Sequence, residues 1–167
     1  MPSKSLDELE AQVGRTVTTV EDLVVEPGKV EEFARAIKDD NPAFRDEAAA
    51  REQGYESIPA PLTFTRTAYF PRYRPDGIGL DHGFDLGFDQ SRVVHGEQEY
   101  IYEQQIHAGD VLSGKTTLVD VYERDGSRGG TMTFAVLETA YRNADGEHVL
   151  TERLTRIELA AQGDDDD

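Results

Sequence analysis

Four long stretches of β-branched and aromatic residues fill the second half of this chain, and they constrain its fold class more than any other feature. They occupy residues 93–106, 111–122, 131–141 and 148–157. In the first, Tyr100, Tyr102 and Ile106 share one parity, while Glu97, Glu99 and Glu103 share the other. A two-residue period of this kind marks a half-buried strand. Ala108-Gly109-Asp110, Asp125-Gly126 and Asp145-Gly146 separate the stretches and have the chemistry of tight turns. Four strands joined by short turns predict an antiparallel meander.

The first half reads differently. Residues 16–25 are β-branched and suit an opening strand. A helix then starts at Glu26-Pro27-Gly28, and Val30, Phe33, Ala34 and Ile37 recur at helical spacing on one face. Asn41-Pro42 stops it. Residues 46–53 predict a short helix, capped by Asp46 and closed by Gly54. Residues 62–70 predict another, with Pro61 in its first turn and Pro71 ending it. Its Phe64, Ala68, Tyr69 and Phe70 suit a helix enclosed by other structure. Helices segregated from antiparallel strands make an α+β domain. One apolar helix wrapped by a curved antiparallel sheet is the hot-dog arrangement. The expected organisation is a polar arm over residues 1–14, one domain over 15–160 and an acidic tail over 161–167. Residues 73–90, rich in glycine and aspartate, are expected to form a long functional or partner-facing loop.

Charge narrows the function. The 167 residues carry 34 acidic and 17 basic side chains, a formal net charge of −17. Such a field repels nucleic acid, whose binding needs a basic footprint. It also strains the compact state by self-repulsion, which molar salt screens to within about 3 Å. Lysine is scarce, at Lys4, Lys29, Lys38 and Lys115, and the expectation is a salt-rich cytoplasm. There are no cysteines, hence no disulfides and no thiolate metal site. No apolar run approaches the roughly 20 residues of a membrane helix, so no membrane partner is expected. The histidines lack helical zinc spacing, and no metal is expected.

Residues 33–50 read FARAIKDDNPAFRDEAAA. This resembles the signature of (R)-specific enoyl-CoA hydratases and MaoC-like dehydratases: aromatic, small residues, Gly-Asp-x-Asn-Pro-aliphatic-His. In that family the aspartate and histidine hold one water against a thioester-conjugated double bond. A helix N-terminus there stabilises the thioester carbonyl as it gains charge. Asp39, Asn41 and Pro42 fall on the motif, Lys38 replaces its glycine, and Phe44 stands where the histidine belongs. Phenylalanine cannot move a proton. At residues 58–63, IPAPLT, Pro61 and Leu62 replace the His-Gly pair that usually opens the family's central helix. With GYESIPAPLTFT, VVHGEQEYIYEQQIHAGDVL and the closing strands, these departures resemble the non-catalytic, substrate-binding partner in two-subunit 3-hydroxyacyl-thioester dehydratases.

The resemblance implies a hydro-lyase subunit acting on thioesters of coenzyme A or a carrier protein. Leu62, Thr63, Phe64, Ala68, Tyr69 and His82 would border the substrate, and Asp39 is the one candidate catalytic group. Asn41, Pro42, Phe44 and Pro61 would shape the motif. A partner hot-dog chain with an intact aspartate–histidine motif would supply acid and base, and no cofactor is implied because water is the co-substrate. Three alternatives stay open. One is a self-sufficient homodimeric hydratase pairing Asp39 with His82 or His95. Another is a non-catalytic acyl-thioester binding module. The third, a thioesterase, is disfavoured because residues 62–70 hold no carboxylate. His107 and His148, each beside a turn, are expected to be exposed.

Overall fold

The computed structural model describes residues 2–70, 82–126 and 129–161. Five strands form one antiparallel sheet: β1 (Thr16–Val24), β2 (Val93–Tyr102), β3 (Val111–Asp125), β4 (Thr131–Arg142) and β5 (His148–Glu158). Their order is β1-β3-β4-β5-β2. The helices are short: α1 (Leu6–Glu10), α2 (Pro27–Ala36) and α3 (Glu47–Glu52), with 3₁₀ turns at Pro42–Phe44 and Phe64–Tyr69. The sheet packs its inner face over the Phe64–Tyr69 segment, which is the hot-dog arrangement. No helix among the described residues is long and apolar enough to cross a membrane.

Two expectations are corrected. The strands after residue 92 do not form a four-stranded meander. Only β3-β4-β5 do, and β2 pairs with β5 on the far edge. Parity and turn residues say which face a strand presents, but not which neighbour it meets. The Ala108-Gly109-Asp110 turn belongs to a crossover, not a hairpin. Ala60 N–H donates to Ile106 O, Ala108 N–H to Ile58 O and Gly109 N–H to Val25 O, so this stretch is tied to the first half of the chain. The second correction is the core helix. It is a six-residue 3₁₀ helix over Phe64–Tyr69, shorter and tighter than a nine-residue α-helix. Thr63, Thr65 and Thr67 are β-branched and lose rotamer freedom in an α-helix, which disfavours the longer form.

The interior divides into two clusters. One gathers Leu23, Val25, Val30, Phe64, Ile106, Leu112, Tyr141 and Leu150, with Phe33 and Phe44 packed against it. The other gathers Leu9, Phe84, Leu86, Phe88, Leu118 and Leu137. Leu9 reaches the second from α1, which Ser5 and Glu8 cap reciprocally, so the N-terminal arm is folded onto the domain. On β2 the expected alternation holds: Gln98, Tyr100 and Tyr102 face inward against Leu154, Glu152 and Leu150 of β5. A bulge between His95 and Glu97 resets the parity at Gly96, where an added Cβ would lie 2.6 Å from Ile157 Cδ1.

Candidate functional site

The aspartate motif forms a compact, locally wired turn. Lys38 sits at φ 61°, a left-handed conformation that favours glycine, the residue this motif has in the family it resembles. Lys38 N–H donates to Arg35 O at 3.0 Å and Asp39 N–H to Ala34 O at 2.9 Å, a Schellman closure of α2. Asp39 Oδ1 then accepts Asn41 N–H at 3.0 Å, and Asn41 Oδ1 accepts Ala43 N–H at 3.0 Å. The Asn41 and Gln53 amides exchange two bonds, at 3.1 and 2.9 Å, fastening α3 to the turn. Pro42 opens the 3₁₀ turn, and Phe44 packs half-buried on the first core cluster. Among the described residues Asp39 bonds to Asn41 and to no histidine.

The second candidate segment follows on the inner side of the sheet. Pro61 is buried and Thr63 half-buried, whereas Leu62 is 62% exposed. The Leu62 carbonyl accepts the Tyr102 hydroxyl at 2.7 Å. Phe64, Ala68 and Tyr69 are buried in the first core cluster, where Phe33 meets Phe64 edge-to-face. His82 is buried too, and its Nδ1 lies 3.0 Å from the Tyr69 hydroxyl. The candidate residues therefore form two groups: Asp39, Asn41, Pro42 and Phe44 in the turn, and Phe64, Ala68, Tyr69 and His82 in the core. Of the loop expected over 73–90, residues 73–81 lie outside the described residues. His107 and His148 are half-buried rather than exposed; His148 Nε2 lies 3.0 Å from the Thr151 hydroxyl.

A third group was missed by the sequence reading. Glu152 of β5 is 3% exposed and points at the core helix. Its carboxylate accepts the Thr65 hydroxyl at 3.0 Å, Arg66 Nη1 at 3.1 Å, Gln98 Nε2 at 2.9 Å and the Tyr141 hydroxyl at 3.3 Å. Tyr141 and Tyr69 are buried in the same core cluster, and the Tyr69 hydroxyl in turn meets His82. Burial opposes the charge on Arg66, but the attraction and hydrogen bond of Glu152 outweigh it and hold the guanidinium above its ordinary range. Burial, reinforced by Glu152, pushes the phenols of Tyr100, Tyr102 and Tyr141 up. His95 is pushed down by partial burial and by Arg66. The missed signal lies in β5. Glu152, Arg156 and Glu158 share the parity of Leu150 and Leu154, which places three charged residues on a buried face.

Comparison with known proteins places the fold in a family. The family described as "FAS1-like, dehydratase domain region" matches residues 11–152. A UPF0336 protein of Thermobifida fusca is 37% identical over 140 residues, covering 83% of this chain and 86% of that protein. Among solved structures, the C-terminally truncated HadBC (3R-hydroxyacyl-ACP dehydratase) complex of Mycobacterium tuberculosis contains a similar chain. It is 29% identical with a TM-score of 0.70, and the match covers 87% of this chain and 96% of that one. A MaoC-like dehydratase is 27% identical with a TM-score of 0.64, and the match covers 92% of this chain but 44% of that chain.

Proposed function

This chain belongs to the FAS1-like dehydratase-region family, with the hot-dog fold of MaoC-like dehydratases, and we propose that it serves there as a substrate-binding subunit. The reaction is the interconversion of (R)-3-hydroxyacyl and trans-2-enoyl thioesters. Water is the co-substrate, and a partner hot-dog chain supplies the aspartate and histidine.

One observation carries this reading. The motif turn is built, but Phe44 packs against the core where the family's proton-transferring imidazole belongs. Hydration needs a base for the water and an acid for the α-carbon, and each positioned group contributes roughly 10²–10⁴-fold. Asp39 alone, its carboxylate engaged by Asn41 N–H, supplies at most half of that pair. Leu62 remains exposed at the mouth of the core helix, where a thioester carbonyl can approach. The outer edge of β2, with Val94 and Ile101 40% and 46% exposed, suits pairing with a second hot-dog chain. That HadBC is a complex supports a two-chain assembly. The acidic, lysine-poor composition supports a salt-rich cytoplasmic setting.

The test is crotonyl-thioester hydration by the purified chain, alone and mixed with a chain carrying the intact Gly-Asp-x-Asn-Pro-x-His motif. Activity only in the mixture, lost when the partner's histidine is replaced, is expected. Turnover by the single chain that disappears in Asp39→Asn would replace this reading with the homodimeric hydratase.

A further inference from the structure

The strip between the core helix and β2 holds a charged pair for which subunit pairing and the missing histidine give no use. Glu152 fixes Arg66 from below, and the Tyr69 ring lies 5.0 Å from the guanidinium carbon. Only Nη1 of Arg66 is engaged among the described residues, and the side chain is 33% exposed. The half-buried Tyr100 hydroxyl likewise has no hydrogen-bond partner among the described residues, and Tyr100 stands directly across the strand pair from Glu152, the carboxylate that holds Arg66. Tyr102, Tyr100 and Gln98 succeed one another on the inward parity of β2. At about 3.3 Å per residue, that row spans roughly 13 Å, from the Leu62 carbonyl at one end to Glu152 at the other.

The chemistry of the strip selects its ligand. Spare N–H groups of Arg66 and the Tyr100 hydroxyl are donors, so the group they seek is an oxygen acceptor. Glu152 already neutralises Arg66, and the chain carries a net −17, so an anion gains little there. A neutral carbonyl oxygen fits better. The row is also too polar for a saturated acyl tail, which would leave these donors unsatisfied. We propose that this strip docks the amide carbonyls of the arm that carries the thioester, with Arg66 and Tyr100 as donors. Amides recur along the pantetheine arm common to coenzyme A and carrier proteins, so the strip binds both classes of thioester through the same group. This rests on the thioester-binding role proposed above.

Pantetheine, which has two amides and no acyl group, is the probe. It is titrated calorimetrically into the full-length chain, and into its mixture with a chain bearing the intact motif. Saturable binding is expected. Arg66→Lys keeps the charge facing Glu152 but loses the planar fork, and is expected to weaken binding about tenfold; Tyr100→Phe is expected to weaken it severalfold. If Arg66→Lys fails to fold, the double variant Arg66→Met with Glu152→Met, which leaves no buried lone charge, takes its place and is expected to lose at least as much. Absence of saturable binding in both samples overturns the proposal, as does unchanged affinity in folded variants. S-ethyl crotonothioate, a thioester without an amide, is expected to ignore both substitutions. If it shows the same dependence, the strip reads the thioester and the amide assignment falls. Hydration that appears on mixing while pantetheine ignores Arg66 sinks the docking strip alone. Arg66-dependent pantetheine binding without hydration sinks the dehydratase role alone.

Discussion

The motif turn and the Glu152 network are both polar, but they are wired over opposite ranges. In the turn, Asp39, Asn41 and Ala43 bond to residues two positions away, and the longest reach is twelve, from Asn41 to Gln53. Around Glu152 the bonds to Thr65, Arg66 and Gln98 span 87, 86 and 54 residues. The turn is a local device whose shape rests on bonds among near neighbours, with Phe44 packed against the core beside it. The network exists only once the core helix, β2, β4 and β5 have assembled, so its integrity reports on the whole domain.

The sharpest way to break that contrast is to remove one partner of the buried pair. Arg66→Met leaves Glu152 charged and buried, and such losses cost roughly 3–5 kcal/mol when both partners are fully buried. With Arg66 one-third exposed the expected loss is about 2–4 kcal/mol, read as a drop in the urea midpoint. Adding Glu152→Met to Arg66→Met should recover only part of it, because Thr65, Gln98 and Tyr141 then lose the carboxylate to which they donate. An Arg66→Met midpoint equal to wild type would mean that the pair does not secure the core helix.

Lys38→Gly probes the turn from the opposite direction, because it relieves a left-handed backbone at φ 61°. A gain of about 1 kcal/mol is expected, since the left-handed penalty of roughly 1–2 kcal/mol is partly offset by the extra freedom of an unfolded glycine. A loss of stability would show that the Lys38 side chain does something that the backbone geometry does not predict.

What the sequence disclosed follows the same division. The Asp46 cap and the alternation that turns Tyr100 and Tyr102 inward are short-range features and stand where the pattern predicts, whereas α2 closes at Lys38, before the Asn41-Pro42 expected to stop it, and that pair opens the next turn instead. The pairing of β2 with β5 was not legible, because alternation fixes a face and leaves the neighbour open. The 3₁₀ character of the core helix was legible only in part. Its prolines bounded it, but apolar spacing does not distinguish two tight turns from a longer helix. Glu152 was the clearest omission. Its place among Leu150 and Leu154 looked like an interruption of the strand, because its partners lie far away in the chain.

Alkaline titration separates the two regions without altering the pair. Tyr100, Tyr102 and Tyr141 have raised folded-state pKa values, caused by burial and then by Glu152. Above pH 10 the unfolded phenols release protons that the folded ones retain. The folded state then binds more protons, and stability falls as pH rises. Urea midpoints should decline from about pH 10 upward, and Tyr141→Phe should flatten the decline while Asn41→Ala leaves its slope unchanged. A flat wild-type profile would contradict the buried setting of these phenols.

The most diffuse effect belongs to neither region. The net charge of −17 predicts a thermal midpoint that rises by several degrees from low salt to molar potassium chloride. Wild type and Arg66→Met with Glu152→Met should rise in parallel, since the field is a property of the surface. A flat or falling series would remove the salt-rich setting from the account.

We propose above that this chain binds a thioester but lacks half of the acid–base pair. Single-chain turnover of crotonyl thioester tests it most directly. Negligible hydration is expected alone and ordinary enzymatic rates once a chain with the intact aspartate–histidine motif is added, with Asp39→Asn in this chain changing the rate of the mixture only modestly. Ordinary turnover by the purified single chain, abolished by Asp39→Asn, would contradict it.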